Sequence, residues 1–233
     1  MTAQAGRGTK PRVPLSRERV LRAAVRVADE GGIEALTMRR VADELGAEAM
    51  SLYYHVDSKE DLLNGVVDVI AAEVNNAVAA IAAPSAGALW KTAARRRILS
   101  AREIFLRHRW ALAVFETRTT ISPEVVRHYD GLVGLMRDGG FTWDQAHHAM
   151  HALGSRALGF SQELFTPDGG APGDMDPAAA EAMAAQFPNL AGMLADIVHD
   201  DPDSTLGWCD DQAEFEFGLD LILDGLDRLR GTG

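Results

Sequence analysis

Residues 37–63, TMRRVADELGAEAMSLYYHVDSKEDLL, read as a helix, a tight turn, a second helix and the capped start of a third. Thr37 is placed to cap the first of these. Its apolar positions Val41, Ala42 and Leu45 follow helical spacing and stop at Gly46, the residue type that takes a positive φ without strain. The turn is therefore short. From Glu48 to His55 the second helix carries Met50, Ser51, Tyr53, Tyr54 and His55, a set of small, polar and aromatic tips suited to a nucleic-acid groove. Asp57 and Ser58 interrupt it. Ser58-Lys59-Glu60-Asp61 reads as a capping box with Asp61 in place of the usual Glu or Gln.

Working outward, Val20, Leu21, Ala24, Val27 and Ala28 recur at helical spacing from a Ser16 cap until Gly31-Gly32 stop the helix. Residues 1–14 contain Gly6, Gly8, Pro11 and Pro14, which predicts a flexible arm. Downstream, Leu62, Leu63, Val66, Val67, Ile70, Val74, Val78 and Ile81 form the buried stripe of a helix from Lys59 towards Ile81. Pro84-Ser85-Ala86-Gly87 ends it. Further helices are expected over 90–108, 110–117, 123–139, 142–165, 177–187, 190–198 and 211–229, with a mobile loop over 166–176, TPDGGAPGDMD. No strand-like alternation persists, so the fold class is all-α. The expected division is a basic arm (1–14), a three-helix helix-turn-helix domain (15–62) and a larger helical domain (63–233).

At 233 residues and 47% apolar content the chain has enough material for a real core. Its single cysteine, Cys209, cannot form an internal disulfide, and no Cys/His spacing suits structural zinc. The N-terminus lacks the apolar run of a signal peptide, and the stretch 66–83 is interrupted by Asp68, Glu73, Asn75 and Asn76. A cytoplasmic protein with no membrane partner is expected. The net charge of −11 argues against nucleic acid only until its distribution is seen. Residues 1–60 hold ten Lys and Arg against nine Asp and Glu, and Arg7, Lys10, Arg12 and Arg17 come with no acid among the first seventeen residues. Such an arm suits phosphates, although a plain disordered tail has the same composition.

The ordered series Glu30-Gly31-Gly32, Leu36-Thr37, Leu45-Gly46, Leu52-Tyr53-Tyr54-His55-Val56, Lys59 and Leu62-Leu63 resembles the DNA-binding region of the tetracycline-repressor (TetR) family of transcriptional regulators. The resemblance implies that Arg39, Ala49, Met50, Ser51, Tyr53, Tyr54, His55 and Lys59 occupy positions used at double-stranded operator DNA. Arg39 suits a phosphate or a bidentate pair with guanine, the three hydroxyls and Lys59 suit phosphates, and Ala49 and Met50 offer only apolar contact. The recognition segment has no Lys or Arg of its own, so direct base readout is expected to be modest. Tyr53 reads equally as a core aromatic beside Leu52 and Val56.

The remainder resembles the family's ligand-binding and dimerisation domain, less specifically. Helix 142–165 and the terminal helix, with Phe215, Leu219, Ile222, Leu226 and Leu229 on one face, would pair with their copies in a homodimer, and Gly154, Ala157 and Gly159 would permit close approach. The same faces could be monomer core. A small-molecule effector, apolar or aromatic, is expected between helices. Candidates to line its pocket are Trp90, Phe105, Trp110, Phe115, Met136, His147, Met150, His151, Phe160 and Leu164, most of which any helical core would also need. Aligning Glu116-Thr117-Arg118 puts Val114 where the family's namesake uses a histidine towards its drug's magnesium, so a tetracycline–magnesium effector is not expected.

His147, His148 and His151 place two histidines at i and i+4. That spacing holds zinc when a third ligand is near, and none is evident. No metal or cofactor is expected. The competing reading is an all-α enzyme or small-molecule-binding protein using His147 and His151, which lacks a recognisable nucleophile or phosphate loop. A DNA-binding repressor released from a palindromic operator by its effector is the reading the residues favour, and enzymatic activity is not expected.

Overall fold

A computed structural model describes residues 14–81, 86–118, 121–159, 177–189, 191–192 and 211–230. The arm up to residue 13, the loop over 166–176, candidates Phe160 and Leu164, and most of the helix expected over 190–198 lie outside the described residues. Every regular element among the described residues is helical. In order these are α1 (Arg17–Ala35), α2 (Met38–Leu45), α3 (Ala49–Leu52), α4 (Lys59–Ala80), α5 (Ala86–Arg107), α6 (Trp110–Glu116), α7 (Pro123–Asp138), α8 (Trp143–Gly159), α9 (Pro177–Gln186) and α10 (Asp211–Arg230).

The caps follow local chemistry. Ser16 Oγ accepts from the Arg19 N–H at 3.3 Å, Thr37 Oγ1 from the Arg40 N–H at 3.2 Å, and Ser58 Oγ from the Asp61 N–H at 3.0 Å, each satisfying a donor the helix leaves open. Gly46 closes α2 at φ 61° and ψ 39°, the left-handed geometry that favours glycine. At the end of α1 the glycine stop is only partial. Gly32 breaks the helix at φ 71° and ψ 178°, after which it resumes to Ala35.

Two expectations are corrected by hydrogen bonding. The second helix is regular only from Ala49 to Leu52, because the Leu52 carbonyl accepts from both His55 N–H (2.8 Å) and Val56 N–H (2.9 Å). That tightens Tyr53–His55 into a turn. The capping box at α4 is opened as well, since Asp61 Oδ2 accepts from the Asp57 N–H at 3.0 Å instead of reaching back to Ser58.

The chain packs as two compact units, Met1–Ser85 with Arg96–Leu135, and Ala86–Arg95 with Met136–Gly233. In the first, α1 packs on α2, α4 and α6, and α4 on α6. Its core joins Val20, Val41, Leu52, Val56, Leu62, Val66, Ile70 and Ile104, all essentially inaccessible. Full burial of each such aliphatic side chain is worth about 1.5–3 kcal/mol, so the short helix-turn-helix is held largely by α1 and α4. By length and composition α4 could span a membrane, but its apolar residues Leu62, Leu63, Val66, Val67, Ile70 and Val74 are buried in this core.

In the second unit α8 packs on α10, burying Ala146, Ala149 and Leu153 on one helix and Phe215, Leu219, Leu223 and Leu226 on the other. Trp90 is fully buried, stacks edge-on against Phe141 at 4.6 Å and donates from Nε1 to Asp227 at 2.8 Å. Beside it a ladder of ion pairs joins α5 to α10. Lys91 meets Asp224, and Arg95 meets both Asp220 (2.7 Å) and Glu216 (2.5 Å).

Candidate nucleic-acid interface

The α2–α3 corner pushes its large side chains outward. Tyr54 is 87% exposed, Met50 72% and Tyr53 43%, while Leu52 and Val56 between and after them are buried completely. The alternation arises because the α3 residues face the core once per turn and the following turn then rotates Tyr53 and Tyr54 away. Ala49 and His55 are half-buried at its edges. Ser51, also half-buried, donates from Oγ to the Glu48 carbonyl at 2.6 Å.

Charge on this surface is sorted by pairing. Arg22 bonds Glu18 at 2.6 Å and Arg26 bonds Glu44 at 2.8 Å. Arg39, Arg40 and Lys59 are exposed and meet no acid among the described residues. Three uncommitted cations beside exposed hydroxyls on a helix-turn-helix form a surface on which phosphates would be bound and base edges touched. Arg40 is not among the residues the resemblance places at DNA. With no ion pair among the described residues, it has the same standing as Arg39 for phosphate contact.

Arg17 behaves differently. Grouped by composition with the basic arm, it is folded onto the far end of the recognition segment. Its guanidinium donates to both Asp61 oxygens at 2.7 Å and to the His55 carbonyl at 2.9 Å. The hydrogen bond from Arg17 is the main cause holding the Asp61 carboxyl below the usual carboxylate range, and the Asp57 N–H adds to it.

The residues nominated for an effector fall in both units. In the first, Phe105 and Phe115 meet edge-to-face at 5.8 Å, and Trp110 is buried with its Nε1 bonded to Asp29 at 2.7 Å. The same Asp29 oxygen lies 2.7 Å from His108 Nδ1, and His108 Nε2 is 3.3 Å from Glu73. This buried histidine between carboxylates of α1 and α4 escaped the sequence, which gives a lone His no partners. In the second unit Met136 is fully buried, Met150 half-buried, and His147 and His151 are exposed with ring centroids 4.7 Å apart. Among the described residues no group of three or more His, Cys, Asp or Glu side chains is arranged to hold a metal ion.

Comparison with known proteins decides the family. Residues 20–66 match the profile for bacterial regulatory proteins of the tetR family, and residues 83–230 match the tetracyclin repressor-like C-terminal domain. The chain belongs to the TetR family. It is 31% identical over 228 residues to the HTH-type transcriptional repressor DrrR1 of Streptomyces coeruleorubidus, covering 96% of this chain and 80% of that one. Among solved structures, a possible TetR family transcriptional regulator from Streptomyces coelicolor superposes with a TM-score of 0.68 at 31% identity, covering 92% of this chain and all of that one. ActR of Streptomyces coelicolor in complex with actinorhodin gives a TM-score of 0.67 at 28% identity, with coverage of 94% and 98%. As a TetR regulator this protein is a DNA-binding transcriptional repressor that responds to a small-molecule ligand, and it acts on operator DNA as a homodimer. Its relatives are soluble transcriptional regulators rather than enzymes.

Proposed function

We propose that the repressor reads a palindromic operator with Arg39, Ala49, Met50, Ser51, Tyr53, Tyr54, His55 and Lys59, and that a small apolar or aromatic effector releases it. The observation that carries the DNA half is the coincidence, on the α2–α3 corner, of Arg39 and Arg40, which meet no acid among the described residues, with the exposed Tyr54 and Met50. In this reading residues 15–62 act as the DNA-binding domain and 63–233 as the effector and dimerisation domain, preceded by a phosphate-seeking arm over 1–14. Homodimers would set two recognition segments about 34 Å apart, one DNA turn. The exposed Phe217 and Leu221 on α10 supply apolar surface of the kind a twofold partner covers.

For the effector, the edge-to-face pair of Phe105 and Phe115 and the buried Trp110 favour an apolar or aromatic guest, and the likeness to ActR bound to actinorhodin makes actinorhodin the first compound to try. Met136, His147, Met150, His151, Phe160 and Leu164 remain proposed contacts of lower standing. Release follows from linkage, because an effector that binds one dimer spacing better than another weakens whatever ligand prefers the other. We assign no catalytic role and place the protein in the cytoplasm, where its DNA is.

The test is binding of the purified protein to fragments of its own upstream genomic DNA at physiological salt, with and without actinorhodin. A protected palindrome that is freed by the compound supports both halves. Selective binding unaffected by actinorhodin or by any of a panel of small apolar and aromatic compounds overturns the effector class and leaves the DNA half. Absence of selective binding to any fragment overturns the operator reading.

A further inference from the structure

We infer that Arg17 is a positioning residue for operator recognition, setting the recognition segment through a clamp on Asp61 and the His55 carbonyl, and is not itself a phosphate contact. The inference rests on the proposed DNA-reading set. Position in the chain favours the opposite assignment, since Arg17 follows directly on a basic arm. The geometry points inward. Both terminal nitrogens of the guanidinium are committed to the two Asp61 oxygens at 2.7 Å, and one of them also reaches the His55 carbonyl at 2.9 Å. A bidentate arginine–carboxylate pair fixes orientation as well as distance.

What the clamp fixes is a short turn running between the buried Leu52 and Val56. Helix α3 is only four residues long, and residues 53–55 are a turn on which Tyr54 is 87% exposed and Tyr53 43%. The Asp61 carboxylate gathers three segments of the chain at one point: the start of α1 through Arg17, the linker through the Asp57 N–H at 3.0 Å, and the first turn of α4 in which it sits. The His55 carbonyl closes the circuit. The peptide immediately after Tyr53 and Tyr54 is thereby tied to α1 and α4 at once, which orients the two tyrosines that the groove would meet. Binding geometry of this kind must hold within about 0.5 Å to be productive.

Charge and position predict opposite outcomes, which makes the proposal testable. Removing an acid near DNA, Asp61→Asn, should on simple electrostatics raise affinity for any duplex. If Asp61 holds the clamp, the same variant lowers affinity for operator. The experiment measures binding of the full-length protein, at several salt concentrations, to the genomic fragment the wild type protects and to a random duplex of equal length. Variants are Arg17→Ala, Arg17→Lys, Asp61→Asn and the double Arg17→Ala/Asp61→Asn.

The expected result is a fall of about tenfold in the operator-to-random ratio for each single variant. Arg17→Lys should be affected despite keeping its charge, the double should be no worse than either single, and the salt slope should match wild type. Arg17→Lys and Asp61→Asn are conservative enough to keep the fold, which circular dichroism verifies. The clamp is overturned if Asp61→Asn binds operator as tightly as wild type or tighter. It is equally overturned if Arg17→Ala lowers the slope by about one, the mark of a lost phosphate contact, while the ratio holds. A wild type with no preference between the duplexes would sink the DNA-reading set and this inference with it, a result distinct from selective wild type with unaltered variants.

Discussion

Two surfaces of this repressor carry comparable positive charge and use it in opposite ways. On the α5–α10 seam, Lys91 and Arg95 are answered by Asp224, Asp220 and Glu216, and Arg230 by Asp227. On the helix-turn-helix corner, Arg39, Arg40 and Lys59 have no acidic partner among the described residues. A cation whose partner lies in the same chain does structural work. One held on a rigid element without an acid is left for another molecule. Arg17 shows why the accounting must be done residue by residue, since it sits beside the second group in sequence and belongs with the first in space.

The comparison can be broken most severely in the seam's apolar anchor. Trp90→Ala removes a fully buried indole, its edge contact with Phe141 and its bond to Asp227, and should cost about 3–5 kcal/mol in urea denaturation. A loss under about 1 kcal/mol would mean that the second unit does not depend on this contact. Next in size, Arg39→Ala and Tyr54→Ala should each weaken operator binding by about 1–3 kcal/mol in a gel-shift titration while leaving the melting temperature within a degree or so. A large drop in melting temperature with unchanged DNA affinity would move either residue from reading to structure.

Smaller again is Arg95→Ala, which breaks two pairs that are partly open to solvent. It should destabilise by about 1 kcal/mol and leave the operator contacts intact, measured by denaturation and gel shift in parallel. The smallest effect is on acid stability. Asp61 and Glu216 have folded pKa values held below normal, Asp61 chiefly by its hydrogen bond from Arg17 and Glu216 by bonds from Gln212 and then Arg95. A lowered folded pKa contributes stability that is fully present above the unfolded value, about 4, and is lost as pH falls through the folded value. Melting temperature followed from pH 6 to pH 2.5 should fall more gently for Asp61→Asn than for wild type. Parallel curves would show that the clamp adds nothing to stability.

Much of the fold was legible because its signals are local. Thr37, Ser58 and Ser16 cap where hydroxyl chemistry puts them, and Gly46 takes the left-handed geometry that its place after Leu45 demands. The exposure of Tyr54, Met50 and Arg39, proposed to read DNA, was legible for the same reason, since they lie on short elements whose buried face is set by Leu52, Val41 and Val56. Partnerships across sequence were not. Glu216, Asp220, Asp224 and Asp227 repeat at helical intervals and look like a solvated stripe until α5 supplies partners, Arg95 pairing with Asp220 from 125 positions away. Asp29, His108 and Trp110 meet across some eighty positions in the same way. The half-helical recognition segment was missed because propensity carries helix to His55, whereas the Leu52 carbonyl ends it by taking two donors.

The most direct test of the account is the salt dependence of operator binding for Arg39→Ala set beside Arg95→Ala. If cations without acids mark the DNA surface, the slope of log affinity against log salt falls by about one for Arg39→Ala and stays at the wild-type value for Arg95→Ala. Equal slopes for the two variants, or a change confined to Arg95→Ala, would contradict it.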